Sequence, residues 1–555
     1  MQDKYTNLAL PYIPRLLQLI DQNPYSPTYG CFDRAFWHYR TMDFPCGMSQ
    51  EMVLPIALAY SREYPGNKYY QTERLKELSE AAIRYMIKSS YKNGTCDDYF
   101  PYERAMGALV FSLYAATEAY QVIGMKDEFV ENLFTKRVRH LEHENESGRL
   151  SNHQALAALA AYNVYCITGD VKARKTAEDR VAITLSWQDQ SEGWYQEYEG
   201  ADPGYHTCTI DFLAKYLQKK EGKGEKDHSV LKALTKAVDF SWYFMHPDGS
   251  YGGEYGSRNT YHFYPHGFEL LAPHTIKAGQ IADAFLQSTE KDKRYHNDDD
   301  RMTAHYVYNY MQSWEDYYPE RPISINDEKS NATHKWMPKA SICVNWNKSK
   351  ESKNQHYLIT NLSKGGVLKI FDKTGCIASD TGLIAELNDG TVVVSHLVQK
   401  DSTITHSKNG EGATLQVEGD FCIRKPNGMS VFKQLLLRIW VLTIGRFNAN
   451  LTRSIVQKIA ITGKPKTTFR FKRKIEIEDQ KTVVTDHFPE NMPIKRLSVG
   501  SDATSIYVAN SLVYQESRLT PWQHADLSSL PIEAGRRVWK RSYFRGSDHS
   551  AELKY

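Results

Sequence analysis

Residues 151–166 read SNHQALAALAAYNVYC and residues 203–220 read PGYHTCTIDFLAKYLQKK. In the first stretch Ala155, Leu156, Leu159 and Tyr162 recur at the three- and four-residue steps of one helical face. Phe212, Leu213, Tyr216 and Leu217 do the same in the second. Outward from these, the same period returns at residues 52–61, 105–120, 171–187, 230–244, 276–285 and 301–314. Leu8, Ile13, Leu16, Leu17 and Ile20 put a helical stripe at the N-terminus as well. The pattern predicts roughly ten to twelve helices, joined by short turns containing Gly, Pro or Asn, with no convincing strand among them.

Near residue 338 the period changes to two. Short β-rich runs follow at residues 341–346, 356–361, 367–371, 391–394, 413–417, 455–461, 467–477, 482–485 and 505–508. Turns such as Lys364-Gly365-Gly366, Asp389-Gly390 and Asn409-Gly410 separate them. The apolar run 435–444 is interrupted by Arg438 and ends in β-branched residues, which predicts a buried strand. No stretch reaches the ~20 apolar residues of a membrane span. Residues 464–474 hold six basic residues and no acid. Phe469 and Phe471 alternate there with Arg470 and Lys472, predicting a solvated or edge strand with one charged face, or a secondary site for an acidic glycan. The predicted architecture is an (α/α) toroid or incomplete barrel over 1–320, a linker over 321–337, and an antiparallel β-sandwich over 338–555.

At ~150 residues per domain, 555 residues allow two to four domains. Lys and Arg total 69 and Asp and Glu 66, so the net charge of +3 argues against a dedicated nucleic-acid binder. Tyrosine, at 37 against 21 Phe, points to wet aromatic surfaces such as carbohydrate clefts. The eight cysteines form no CxxC pair, so neither a zinc knuckle nor a disulfide scaffold is indicated, and a reducing compartment fits. No HExxH or other compact ligand motif appears, and no metal or cofactor is expected. The first twenty residues carry Asp3, Lys4 and Arg15 and lack a cleavage site, which predicts a cytoplasmic protein. The alternative is an exported chain whose signal is not part of this sequence.

Two polar clusters sit where helices should begin. Ser151 with Gln154 three residues on matches a capping box, which places Asn152 and His153 in the first helical turn. Asp202 is a cap with Pro203 as first helical residue, so Tyr205 and His206 also lie near a start. Helix N-termini favour carboxylates and phenolates. Each pattern is also an ordinary cap, and Asn or His in a first turn is commonly structural.

The first motif, Gly148-Arg149-Leu150-Ser151-Asn152-His153, and the second, Glu199-Gly200-Ala201-Asp202-Pro203-Gly204-Tyr205-His206, resemble the paired signatures of heparinase II/III-like polysaccharide lyases. Tyr29 through Trp37 and Gly252 through Gly267 extend the similarity. The resemblance implies cleavage of an acidic, uronate-containing polysaccharide by β-elimination. Asn152 would then donate to the sugar carboxylate, helped by His153, while Tyr205 transfers a proton and His206 supplies charge or orients its neighbour. The family's further histidine, in a His-x-His-x-Asp pattern, has no match here. His356 stands in a comparable context, with Leu358 and Thr360 in place of the second His and the acid, and His334 is the other candidate. Arg258, Tyr261, His262 and Tyr264 would line the groove, Arg258 gripping a carboxylate and a tyrosine stacking on sugar rings. Asp33, Arg34, Trp37, Asp98, Glu103 and Arg104 could border it, or serve as caps and ion pairs. Two other readings remain: a non-catalytic acidic-glycan-binding protein, and a hydrolase or epimerase, either acting in exopolysaccharide or capsule production.

Overall fold

The computed structural model describes residues 1–145, 148–290, 302–321, 325, 334–347, 356–399, 401–409, 412–424, 430–457, 465–478, 481–500 and 515–544. Fourteen α-helices precede residue 320 among them. The first seven are α1 (Asp3–Ala9), α2 (Ile13–Leu19), α3 (Arg34–Trp37), α4 (Val53–Ser61), α5 (Glu73–Ser89), α6 (Met106–Val122) and α7 (Glu128–His143). The next four are α8 (Ser151–Thr168), α9 (Val171–Ser186), α10 (Pro203–Glu221) and α11 (His228–Ser241). Then come α12 (His266–Leu271), α13 (Ile276–Glu290) and α14 (Thr303–Glu315).

Their composition decides their depth. α6 and α8 are rich in Ala and Leu all round and are buried on every face through most of their length. α5 buries one face, with Leu75, Leu78, Ala82, Ile83 and Met86 at its centre, so its polar face meets solvent. α1 packs on α14, where the Gln2 side chain donates to the Trp314 carbonyl at 2.7 Å. One two-residue hairpin, β1 (Gln196–Glu197) with β2 (Gly200–Ala201), interrupts the helices where no strand was expected.

β3 (His334–Met337), β4 (Ile342–Asn347), β5 (His356–Asn361), β6 (Val367–Phe371) and β7 (Cys376–Asp380) form an antiparallel sheet in chain order. Period-two alternation commits it to two neighbours. Ile342, Val344 and Trp346 join the core of the helical half, whereas Cys343, Leu358 and Ile370 join the core of a second sheet. That sheet contains β8 (Leu383–Leu387), β9 (Val392–Val394), β10 (Thr403–Asn409), β11 (Gly412–Ile423) and β12 (Lys466–Ile477). It is completed by β13 (Lys481–Pro489), β14 (Ile494–Val499), β15 (Gln523–His524), β16 (Ile532–Glu533) and β17 (Arg536–Phe544). The order is β15-β14-β8-β9-β11-β12-β13-β17-β16, with β10 beside β11.

Several expectations change. Residues 435–444 are not a strand: α15 (Val431–Leu442), capped by the Ser430 hydroxyl, covers most of them, and α16 (Ala449–Gln457) covers the start of the run 455–461. A short apolar run fits either element, and here the helix wins. The rest of 455–461, and the expected strand 505–508, lie outside the described residues. β3 begins inside the segment expected as linker. β12 is no edge strand, since β11 and β13 flank it. Its Arg473 is fully buried, bonded to both oxygens of Asp486 at 2.7 and 2.8 Å and to Asp380 at 2.8 Å. On its other face Arg470 and Lys472 pair with Asp420 and Glu418 of β11, each at 3.4 Å.

Candidate functional site at the starts of α8 and α10

The β1–β2 hairpin carries Glu197 to the first turn of α8. The Asn152 backbone N–H and side-chain amide both donate to Glu197 Oε1, at 3.1 and 2.8 Å. Glu197 therefore caps this helix from another part of the chain, and the expected capping box does not form. Ser151 instead donates to the Gln196 carbonyl at 2.8 Å, and Gln154 accepts from Arg180 at 2.7 Å. The cap on α10 is local, as its sequence implied: Asp202 Oδ1 accepts from the Tyr205 N–H at 3.0 Å, with Pro203 in the first turn.

The second oxygen of Asp202 accepts from the Arg258 backbone N–H at 2.8 Å, and the Thr260 hydroxyl donates to the first. This fixes the 254–262 loop against α10. The Arg258 guanidinium then reaches Glu197 Oε2 at 3.3 Å and lies over the rings of Tyr205 and Tyr198, at 3.7 and 4.9 Å from their centroids. Two glycines permit the approach. A Cβ at Gly204 would sit 2.1 Å from Thr260 Oγ1, and one at Gly256 would sit 2.6 Å from Asp202 Oδ2.

The sheet half fastens the loop from behind. Lys364 donates to the carbonyls of Gly256, at 2.8 Å, and Glu254, and to the Asn259 side chain. Lys369 lies 2.5 Å from Glu254 and donates to the Tyr261 hydroxyl at 2.7 Å. Asn361 donates to the Tyr255 carbonyl at 2.7 Å.

Burial dominates the electrostatics. It pushes the Glu197 carboxyl above its usual range, with Arg258 and the Asn152 bonds opposing. It pushes the Tyr205 phenol up too, again against Arg258. His262 is driven down to about 3 by burial and by Arg258; it meets the Tyr205 ring edge-on at 5.1 Å and bonds the Tyr306 hydroxyl. These groups hold a neutral phenol beside a fixed cation.

Asn152, Tyr205, Arg258 and His262 are thus drawn together, and His153 is half-buried beside them, edge-on to Phe111. Tyr264 is buried behind His262, its ring stacked on Tyr306 at 5.1 Å. Tyr261 serves the Lys369–Glu254 pair. His206 packs away from Arg258: its Nε2 bonds the Ala237 carbonyl at 3.0 Å and its Nδ1 accepts from the Tyr195 N–H at 3.4 Å. His356 opens β5 opposite Asn347, and its side chain lies outside the described residues. His334 meets His406 of β10 at 2.8 Å. Asp33 caps α3, Trp37 donates to the Leu19 carbonyl, and Glu103 accepts from the backbone of Asp98 and Tyr99, so these three do fixed structural work. Sequence reasoning missed Glu197 and the loop-holding Lys364 and Lys369.

No family model and no curated protein matches the chain. Solved structures do. A heparinase III is 12% identical, with a TM-score of 0.41, over 81% of this chain and 65% of that one, just under two thirds of its length. A cellobiose 2-epimerase from Bacillus thermoamylovorans is 12% identical, with a TM-score of 0.42, over 56% of this chain and 98% of that one. The chondroitin AC lyase of Streptomyces coelicolor A3, solved with chondroitin sulphate, is 11% identical, with a TM-score of 0.52, over 90% of this chain and 71% of that one. With helices first and antiparallel sheets after them, the chain shares the fold of that lyase.

Proposed function

We propose that this protein is a lyase that cleaves an acidic, uronate-containing polysaccharide by β-elimination, on an α/α toroid (1–320) joined to a β-sandwich (338–555). The observation that carries the reading is the Arg258 guanidinium stacked on Tyr205 beside the Asn152–Glu197 cap. In the elimination a base removes the C5 proton, the C5–H pair becomes the C4–C5 double bond, and the C4–O4 bond breaks. Tyr205, held neutral by burial, donates its proton to the leaving O4. His153, beside Asn152, takes the C5 proton in this reading, with His356 as the other imidazole. Asn152 has a second amide hydrogen for the sugar carboxylate, where it stabilises the developing enolate.

One observation favours a second reading, glycan binding without cleavage. Asn152 and Arg258 already direct donors at Glu197, a carboxylate of the protein itself. Incubation with a panel of uronate polysaccharides, following absorbance of the unsaturated product, separates the two. Product supports the lyase; binding without product supports the second reading; neither binding nor product removes both.

A further inference from the structure

The α15–α16 hairpin, inserted between β11 and β12, turns its apolar side chains outward. Phe432 is 68% exposed, Leu436 49%, Ile439 52% and Phe447 78%. Large apolar residues are also exposed elsewhere, Phe129 and Ile276 among them, but here 432, 436 and 439 share one face of α15 and Phe447 follows in the next turn, so several are gathered on one hairpin. A contiguous exposed apolar patch of this kind marks an interaction site.

The hairpin is also built and held. Trp440 donates to Thr452 at 3.1 Å, locking the two helices together. Gly445 permits this, because a Cβ there would sit 3.0 Å from the Trp440 ring. Arg438 pairs with Asp43, Asn450 donates to Glu144 at 2.7 Å, and Arg453 donates to the Arg104 carbonyl at 3.2 Å. These polar contacts tie the hairpin to the helical half, and the apolar stripe is left on the outside.

Charge selects the occupant. No Asp or Glu stands between Asp420 and Glu476, and every charged residue of 430–456 is basic: Lys433, Arg438, Arg446 and Arg453. Cations flanking exposed Phe, Leu and Ile are the signature of a helix that lies in the headgroup region of an anionic bilayer. At 1.5 Å per residue α15 is ~18 Å long, short of the ~30 Å hydrocarbon core, so it can lie on a membrane but not cross one. A second copy docked hairpin to hairpin would bring these cations against their own kind, with no acid within 430–456 to meet them. An acidic glycan would leave the apolar stripe uncovered.

We propose that this hairpin docks the protein on an anionic lipid surface, with Phe432, Leu436, Ile439 and Phe447 inserted among the acyl chains and Lys433 and Arg446 at the phosphates. The test is co-sedimentation of the full chain with vesicles of phosphatidylcholine alone or mixed with phosphatidylglycerol. The expected result is association with the anionic vesicles, weakened by added salt, and about tenfold less with phosphatidylcholine alone. The exposed triple substitution Phe432→Ser, Leu436→Ser and Phe447→Ser should lower it by about tenfold with the circular dichroism spectrum unchanged. Lys433→Glu with Arg446→Glu, which leaves the stripe intact, should lower it as well. No association with anionic vesicles, or association indifferent to both variants, overturns the proposal. A wild type that is dimeric in ultracentrifugation while the triple variant is monomeric also overturns it, by assigning the stripe to a second copy. Binding of an acidic polysaccharide that only the charge reversal abolishes, without vesicle binding, does so in favour of a glycan.

Discussion

The guanidinium carbon of Arg258 lies 3.7 Å from the centroid of the Tyr205 ring. The two residues are far apart in sequence, and Asp202 joins them, its carboxylate accepting from the Tyr205 N–H and the Arg258 N–H at 3.0 and 2.8 Å. A desolvated cation on an aromatic face is worth about 2 kcal/mol. Here it also opposes the rise that burial imposes on the phenol. The rise still wins, so the buried Tyr205 phenol keeps its proton.

If Tyr205 is the proton donor, Tyr205→Phe should lower kcat by about 10²–10⁴-fold while KM changes little. The variant keeps the ring and its cation contact, so its denaturation midpoint should stay near that of the wild type. Undiminished turnover by the Phe variant would remove Tyr205 from the mechanism.

Glu197 and Arg258 are both almost wholly buried. Removing one charge strands the other, so Arg258→Gln and Glu197→Gln should each cost about 3–5 kcal/mol of unfolding free energy. Glu197→Gln keeps an acceptor for the Asn152 N–H, which isolates the charge from the cap. The double variant should cost clearly less than the two single losses added together. Strict additivity in urea melts would show that the 3.3 Å contact carries no coupling.

Gly204→Ala tests how tightly α10 meets the loop. The new methyl would stand 2.1 Å from the Thr260 oxygen that donates to Asp202. Relief requires moving either helix or loop, at about 1–3 kcal/mol. Adding Thr260→Ala to the variant should recover part of that loss in thermal unfolding, and an unchanged midpoint for Gly204→Ala alone would mean the contact is slack.

What was legible in the sequence follows the range of each interaction. The Asp202–Pro203 start of α10 is a local signal, and the structure has it. The Ser151–Gln154 pattern is just as local, yet Glu197 takes over the cap, because a hairpin 45 residues on delivers a carboxylate to the Asn152 N–H in the same first turn. Nothing in Gln196-Glu197-Tyr198-Glu199 distinguishes that carboxylate from a turn residue. Lys364 and Lys369 look like surface lysines of a strand pair, and only the packing of the sheet on the helical half buries them. The run 435–444 misleads for another reason: most of its apolar side chains reach solvent, Val441 being buried, so no burial pattern reports its period.

Acid should expose His206. Burial drives its ring down to about 4, against the hydrogen bond to the Ala237 carbonyl, while an unfolded histidine titrates near ~6.5. Above ~6.5 both states are neutral and the packed ring contributes fully. As pH falls from there toward 4 the unfolded chain takes up the proton first, so stability is lost by up to about 1.4 kcal/mol per pH unit. His206→Gln can keep an amide donor for the Ala237 carbonyl but has no proton to gain. Urea midpoints followed between pH 7 and 4 should therefore fall less steeply for His206→Gln than for the wild type. Superimposable slopes would mean that His206 accepts its proton in the folded protein as readily as in the unfolded one, and that burial does not hold it neutral.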